Sequence, residues 1–232
     1  KLIVSGSYER PYFEMIKRLI KPGDTVIDVG AHEGFITLLM TKLVGGGDVF
    51  AVEPNPENLA FLRDNINLNS TTNIHVIDKA VSDQKAMMHF YVSPDAGANG
   101  SLIPFSVKPD DRIEVEVDTL DNLFGALPRL DFLKIDTEGN ELKVLIGGRQ
   151  ILLRHKPHIC FEVSSTIWSY LEQSVDALFN YLRSLDYELF VLKDDLLYPY
   201  KWLDERIINM LAIHTSRHSE LVERGIIWSG EK

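Results

Sequence analysis

Between Gly23 and Gly34 the chain reads Gly-Asp-Thr-Val-Ile-Asp-Val-Gly-Ala-His-Glu-Gly, and this stretch constrains the fold more than any other. It is a short apolar strand that stops at an acidic residue, turns on two glycines and opens an amphipathic helix at Phe35-Ile36-Thr37-Leu38-Leu39. Glycines let a ligand come close to the backbone, and a helix N-terminus presents free N–H groups. Strand, turn and helix together therefore predict a nucleotide-type pocket.

Which nucleotide follows from charge. A dinucleotide fold would show Gly-x-Gly-x-x-Gly, with pyrophosphate on the helix N-terminus. Here the spacing is Gly30-x-x-x-Gly34, with Asp28 just before it and Glu33 inside it. Carboxylates beside a pyrophosphate repel it, by about 1 kcal/mol per close pair in water and several in a partly buried cleft. S-adenosylmethionine has no phosphate and carries a sulfonium and an ammonium, so an acidic turn suits it. The next apolar run, Val49-Phe50-Ala51-Val52, ends at Glu53. A carboxylate at the tip of the second strand is placed to accept hydrogen bonds from both ribose hydroxyls, which supports a nucleoside without choosing its class.

At 232 residues the chain is long enough for one well-buried domain and too short for two of ordinary size. The net charge of −10, with Lys and Arg scattered, argues against nucleic acid as a partner. No apolar run approaches the roughly 20 residues that cross a bilayer, so no membrane association is expected. A single cysteine excludes a disulfide framework and suits a reducing, cytoplasmic setting. Cys160, inside His158-Ile159-Cys160-Phe161, reads as a buried structural thiol.

In chain order, Tyr8 to Ile20 carries a helical stripe (Tyr12, Met15, Ile16, Leu19, Ile20), a leading helix expected to cover one side of the pocket. After the second strand, Pro54 and Pro56 set up a helix, and Asn73 to Asp78 is the third strand. Repeated strand-helix alternation predicts a parallel sheet with helices on both faces. Met87 to Val92 reads as an added strand, Ser93 to Asp111 as a long loop, Ile113 to Val117 as a half-exposed strand, and Thr119 as the cap of a short helix. Leu130 to Asp136 repeats the apolar strand that ends in a carboxylate, and His158 to Val163 is the fifth. The connection from Asp194 to Arg206, before a last strand at Asn209–His214, is too short for an obvious crossover helix. An antiparallel hairpin at one sheet edge is expected there.

Five segments together resemble the FkbM family of S-adenosylmethionine-dependent methyltransferases: Gly23-Asp24-x-Val26-Ile27-Asp28-Val29-Gly30-Ala31-x-x-Gly34, Glu53-Pro54-x-Pro56, Ala80-Val81-Ser82-Asp83, Thr119-Leu120-Asp121, and Lys134-Ile135-Asp136-x-Glu138-Gly139-x-Glu141. The resemblance implies an α/β, class I methyltransferase (Rossmann-like) fold, a doubly wound and mostly parallel seven-stranded sheet whose last strand is antiparallel. It makes residues 1–232 one methyltransferase domain, with a leading helix over 1–22 and an acceptor loop over 94–112. It implies S-adenosyl-L-methionine as cofactor and O-methylation of a small hydroxylated acceptor such as a sugar or polyketide. Asp28, Gly30, Ala31 and Gly34 would face the methionine part, Glu53 the ribose, and Asp78 or the backbone near Ala80 the adenine.

An alcohol nucleophile loses a proton as it attacks, and a nearby carboxylate can accept it. Asp136 is the first choice because it ends a strand on the rim where open parallel sheets bind ligands. Glu138 and Glu162 lie close in sequence or on the neighbouring strand, and three carboxylates on one rim could share a proton or hold a divalent cation. The competing reading of Asp136-Thr137-Glu138 is a helix cap. No His/Cys cluster has zinc spacing, so no zinc site is expected. Asn99 and Ser101 in the long loop, with Trp168 and Tyr170 after the fifth strand, are expected to form a lid over the acceptor. Trp168 and Tyr170 have core packing at the start of a helix as their competing reading. Two other functions remain: a nicotinamide-dependent oxidoreductase, disfavoured by the missing Gly-x-Gly, and a catalytically silent nucleoside-binding module.

Overall fold

The computed structural model describes residues 10–92, 100–105, 111–171, 175–193, 196–200, 207–223 and 225–226. The first half runs α1 (Arg10–Leu19), β1 (Val26–Val29), α2 (Phe35–Val44), β2 (Val49–Val52), α3 (Pro56–Leu68) and β3 (Ile74–Ile77). Then come β4 (Ala80–Val81), β5 (Ala86–Val92), β6 (Gly100–Ser101), β7 (Arg112–Asp118) and α4 (Leu120–Phe124). The second half runs β8 (Phe132–Ile135), α5 (Glu141–Ile146), α6 (Arg149–His155), β9 (His158–Ser164), α7 (Ser165–Tyr170) and α8 (Val175–Ser184). It closes with β10 (Tyr187–Lys193), β11 (Leu196–Pro199), β12 (Ile207–His214) and α9 (His218–Glu223).

Local chemistry starts the helices where expected. Asn55 caps α3 by accepting from the Glu57 N–H, with Pro56 at the first helical position, and the Thr119 hydroxyl accepts from the Asn122 N–H to cap α4.

The main sheet has the order β11-β10-β12-β9-β8-β1-β2-β3, with β1, β2, β3, β8 and β9 mutually parallel. β12 is antiparallel to both β9 and β10. This departs from the expected arrangement in two ways. Eight strands pair among the described residues rather than seven, and the edge hairpin is β10–β11, not β10 with the last strand. The reason is burial. Met210, Leu211, Ala212 and Ile213 of β12 are all buried and need cover on both faces, whereas β11 is short and ends in Pro199, which suits an edge.

Alternation along the strands divides two cores. Ile159, Phe161 and Val163 of β9 join Met210 and Ala212 in one, under α4, α5, α6 and α8. Cys160, Leu211 and Ile213 face the other, under Met15, Ile16 and Leu19 of α1 and Met40 and Val44 of α2. Met15, Ile16, Leu19 and Ile20 of the expected stripe are buried as a helical stripe should be, but against the sheet, and no described residue of α1 lines the cleft it was expected to cover. Cys160 is fully buried in this apolar layer.

The strands read as β5 and β7 pair with one another, from Ala86 opposite Val117 to Tyr91 opposite Arg112, in a separate small sheet of order β4-β7-β5-β6. That sheet brings Phe90 and Gly100 to the C-terminal edge of the large one.

Candidate active site

The turn after β1 is held by backbone. The N–H groups of Gly30 and Ala31 donate to the Val52 carbonyl at 2.9 and 3.0 Å. Gly30 has φ +78°, and a Cβ there would lie 1.9 Å from the Asp136 carbonyl oxygen, so only glycine lets the turn meet the end of β8. At Gly34, also left-handed, a Cβ would meet Leu62 of α3. Ala31 is buried against Leu59 and Leu62. Ala31 and Gly34 therefore shape the turn by packing and are not cleft-lining, as the sequence suggested they would be.

Glu53, at the tip of β2, is buried and accepts from the His32 N–H at 2.9 Å, the Asn55 N–H at 3.0 Å and Asn58 Nδ2 at 3.3 Å. Burial pushes its carboxyl above the ordinary range, and the backbone bonds hold it back. It lines the cleft beside Gly30 and His32.

Asp28 does not face the cleft. It is fully buried, with the Thr37 hydroxyl donating to Oδ2 at 2.7 Å and Lys134 Nζ 3.0 Å from Oδ1. Lys134 was missed by sequence reasoning, although a lysine amid Phe132, Leu133 and Ile135 was a signal: a cation in a buried strand requires partners. Its ammonium also donates to the Gly30 carbonyl at 2.9 Å and stands 3.4 Å from Asp136 Oδ2.

Asp136, Glu138 and Glu162 come together, each offering a carboxylate oxygen within 4.8 Å of the others, close enough to share protons or grip a cation. Burial, then Asp136 and Glu141, pushes Glu138 up to about 7. Burial, then Asp136 and the other acids, pushes Glu162 up to about 9, where its proton hydrogen-bonds Asp136. The turn beneath is folded by Glu141, also missed: its Oε1 accepts from the Thr137 and Gly139 N–H groups and the Thr137 hydroxyl, all at 3.1 Å. Glu138 sits in the left-handed region at φ 54°. Neither Asp136 nor Glu138 caps α5: its N-cap residue is Asn140, which makes no side-chain cap bond, and Glu141 instead ties down the turn that precedes the helix.

An open cleft runs from Gly30 and Glu53 past Ala80, Val81 and Phe90 to Asp136 and Glu138. Asp78 is not on it. Its carboxylate is exposed and 3.5 Å from Arg63, because the strand end turns it outward; Lys79, Ala80 and Val81 form that wall. Asn140 Nδ2 donates to the Val81 carbonyl at 2.8 Å and ties this wall to the β8 rim.

The expected lid is only partly there. Trp168 is buried in the main core, a correction explained by α7 turning its apolar side to the sheet. Tyr170 does reach the loop, stacking edge-on with Phe105 and donating to the Pro104 carbonyl at 2.9 Å. The Ser101 hydroxyl donates to the Glu138 carbonyl at 2.9 Å, a clamp between loop and turn. Asn99 lies outside the described residues.

The sheet order and the cleft across its carboxyl ends define a class I methyltransferase fold. A family model, the methyltransferase FkbM domain, matches residues 28–189, and the chain belongs to that family. S-adenosylmethionine is accordingly its cofactor, which sets the nicotinamide reading aside. Among solved structures the chain is similar to methyltransferase FkbM from Methylobacillus flagellatus KT, at 21% identity and a TM-score of 0.56. That likeness covers 83% of this chain but only 44% of the other. It is similar also to an rRNA methylase from Streptococcus thermophilus (12% identity, TM-score 0.52, 92% and 100% covered). A SAM-dependent methyltransferase from Aquifex aeolicus resembles it too (14% identity, TM-score 0.50, 88% of each chain). A comparison with curated protein sequences finds no match.

The residues present suit this cofactor. The cleft offers a carboxylate acceptor at Glu53, apolar surface at Val81 and Phe90, and acidic groups at Asp136 and Glu138. Among the described residues no helix is long and apolar enough to cross a membrane.

Proposed function

We propose that this chain methylates a hydroxyl oxygen on a small, hydroxylated metabolite such as a sugar or polyketide. The observation that carries this reading is the convergence of Asp136, Glu138 and Glu162, the first two of them lining the cleft. When bound, the cofactor supplies an electrophilic methyl carbon on a sulfonium. The chain positions donor and acceptor, excludes water and takes the proton that the acceptor oxygen loses. Asp136 is the proton acceptor, since it lines the cleft with its side chain 38% exposed, while Glu162 is already protonated at neutral pH. Glu53 holds the ribose, and the backbone from Lys79 to Val81 with Phe90 holds the adenine. The same acidic rim, on a chain of net charge −10, repels phosphate-rich acceptors such as RNA.

The test is transfer of isotopically labelled methyl from the donor across a panel of hydroxylated metabolites, with ribosomal RNA alongside. Label on a hydroxyl oxygen is expected. Label on nitrogen or carbon, or on RNA alone, would overturn the reading, and cofactor binding without transfer to any acceptor would favour the silent module.

The raised carboxyls of Glu138 and Glu162 also predict how stability depends on pH. A carboxyl raised by folding keeps a proton that the unfolded chain has released, so its contribution is complete below the ordinary value of 4.5 and falls until pH passes the folded value. Above the histidine range, between about pH 7 and pH 9, Glu162 dominates this decline. The denaturation midpoint is expected to fall across that window in the parent and to stay nearly level in Glu162→Gln. Parallel declines in the two proteins would show that Glu162 releases its proton lower down.

A further inference from the structure

Lys134 stands in the middle of a strand whose neighbours Phe132, Leu133 and Ile135 are buried, and it is buried itself. Its ammonium has three N–H donors and meets three oxygens from three parts of the site: the Gly30 carbonyl at 2.9 Å, Asp28 Oδ1 at 3.0 Å and Asp136 Oδ2 at 3.4 Å. Asp28 is gripped from its other side by Thr37 and faces no cleft. Asp136 is open on the cleft. A buried lysine would be neutralised by Asp28 alone, so stability does not require the contact to Asp136. That contact does something else: it links the buried Asp28 carboxylate to the Asp136 carboxylate on the cleft.

Building on the hydroxyl-methylation reading, we propose that Lys134 is a positioning residue that bridges Asp28 to Asp136 and holds the Asp136 carboxylate at the angle from which it takes the acceptor's proton. The compact ammonium suits three convergent oxygens better than the flat fork of an arginine. The lysine reaches the chemistry only through Asp136, and its own proton does not move.

Lys134→Met alone would leave Asp28 buried without a counter-ion, and loss of folding would hide the effect. The informative protein is Asp28→Asn combined with Lys134→Met, which removes both charges and keeps an acceptor for Thr37. This double variant is expected to unfold near the parent's temperature and to bind adenosylhomocysteine with similar affinity. Its kcat should fall about 10-fold or more at little-changed KM for the donor, the signature of a misplaced catalytic group. Its crystal structure should show the Asp136 carboxylate rotated from its place in the parent. Parent-like kcat with Asp136 unmoved would overturn the proposal. If the parent methylates no hydroxyl, the hydroxyl reading fails, and the position of Asp136 in the double variant still decides this inference.

Discussion

Replacing Asp136 with Asn is expected to lower turnover about 10²-fold or more while leaving affinity for S-adenosylmethionine nearly unchanged. Asparagine has the same shape. Its carbonyl oxygen can stay near Lys134 and still accept the hydrogen bond from protonated Glu162, so the rim keeps its form. What disappears is the capacity to accept a proton from an attacking hydroxyl. Steady-state kinetics with labelled donor, together with calorimetric titration of the cofactor, separate the two effects. Equal rates in variant and parent would remove Asp136 from this role and pass it to Glu138, the other carboxylate of the trio on the cleft wall.

A second large effect is expected at Gly30. Its Cβ would sit 1.9 Å from a backbone oxygen of Asp136, and its φ of +78° is one that side chains rarely adopt. Gly30→Ala should therefore cost about 2–5 kcal/mol, the sum of left-handed strain and forced separation of packed backbone, and cofactor binding should fall with it. Gly23 is the control. Its φ is +84°, yet nothing lies within 4 Å of its Cβ position, so Gly23→Ala should cost only the conformational part, about 1–2 kcal/mol. Chemical denaturation of both variants checks the difference. Equal losses would mean that the approach of turn to strand is not tight.

The framework was legible because its signals are local. Apolar runs that end in Asp28, Glu53 and Asp136, each next to a glycine or proline turn, placed three strand tips on one edge, and those tips do surround the cleft or its floor. Direction was less legible than location. Asp28, Asp78 and Asp136 all stand at or near strand ends, yet one points into the core, one into solvent and one into the cleft, because strand twist and the neighbours across it decide where a side chain aims. Trp168 shows the same at a helix start. The place of β12 between β9 and β10 is a pairing between distant segments that no local pattern encodes. Lys134 stood in plain view within an apolar run; its three partners come from separate parts of the chain.

The hydroxyl of Ser101 joins two pieces of chain that sequence keeps far apart, the short strand β6 within the long loop and the bend that carries Glu138. They are obliged to travel as one body. A lineage that widens or narrows this mouth to admit a new acceptor must therefore drag an acid side chain along with it, so that the choice of guest and the handling of its hydrogen evolve in step.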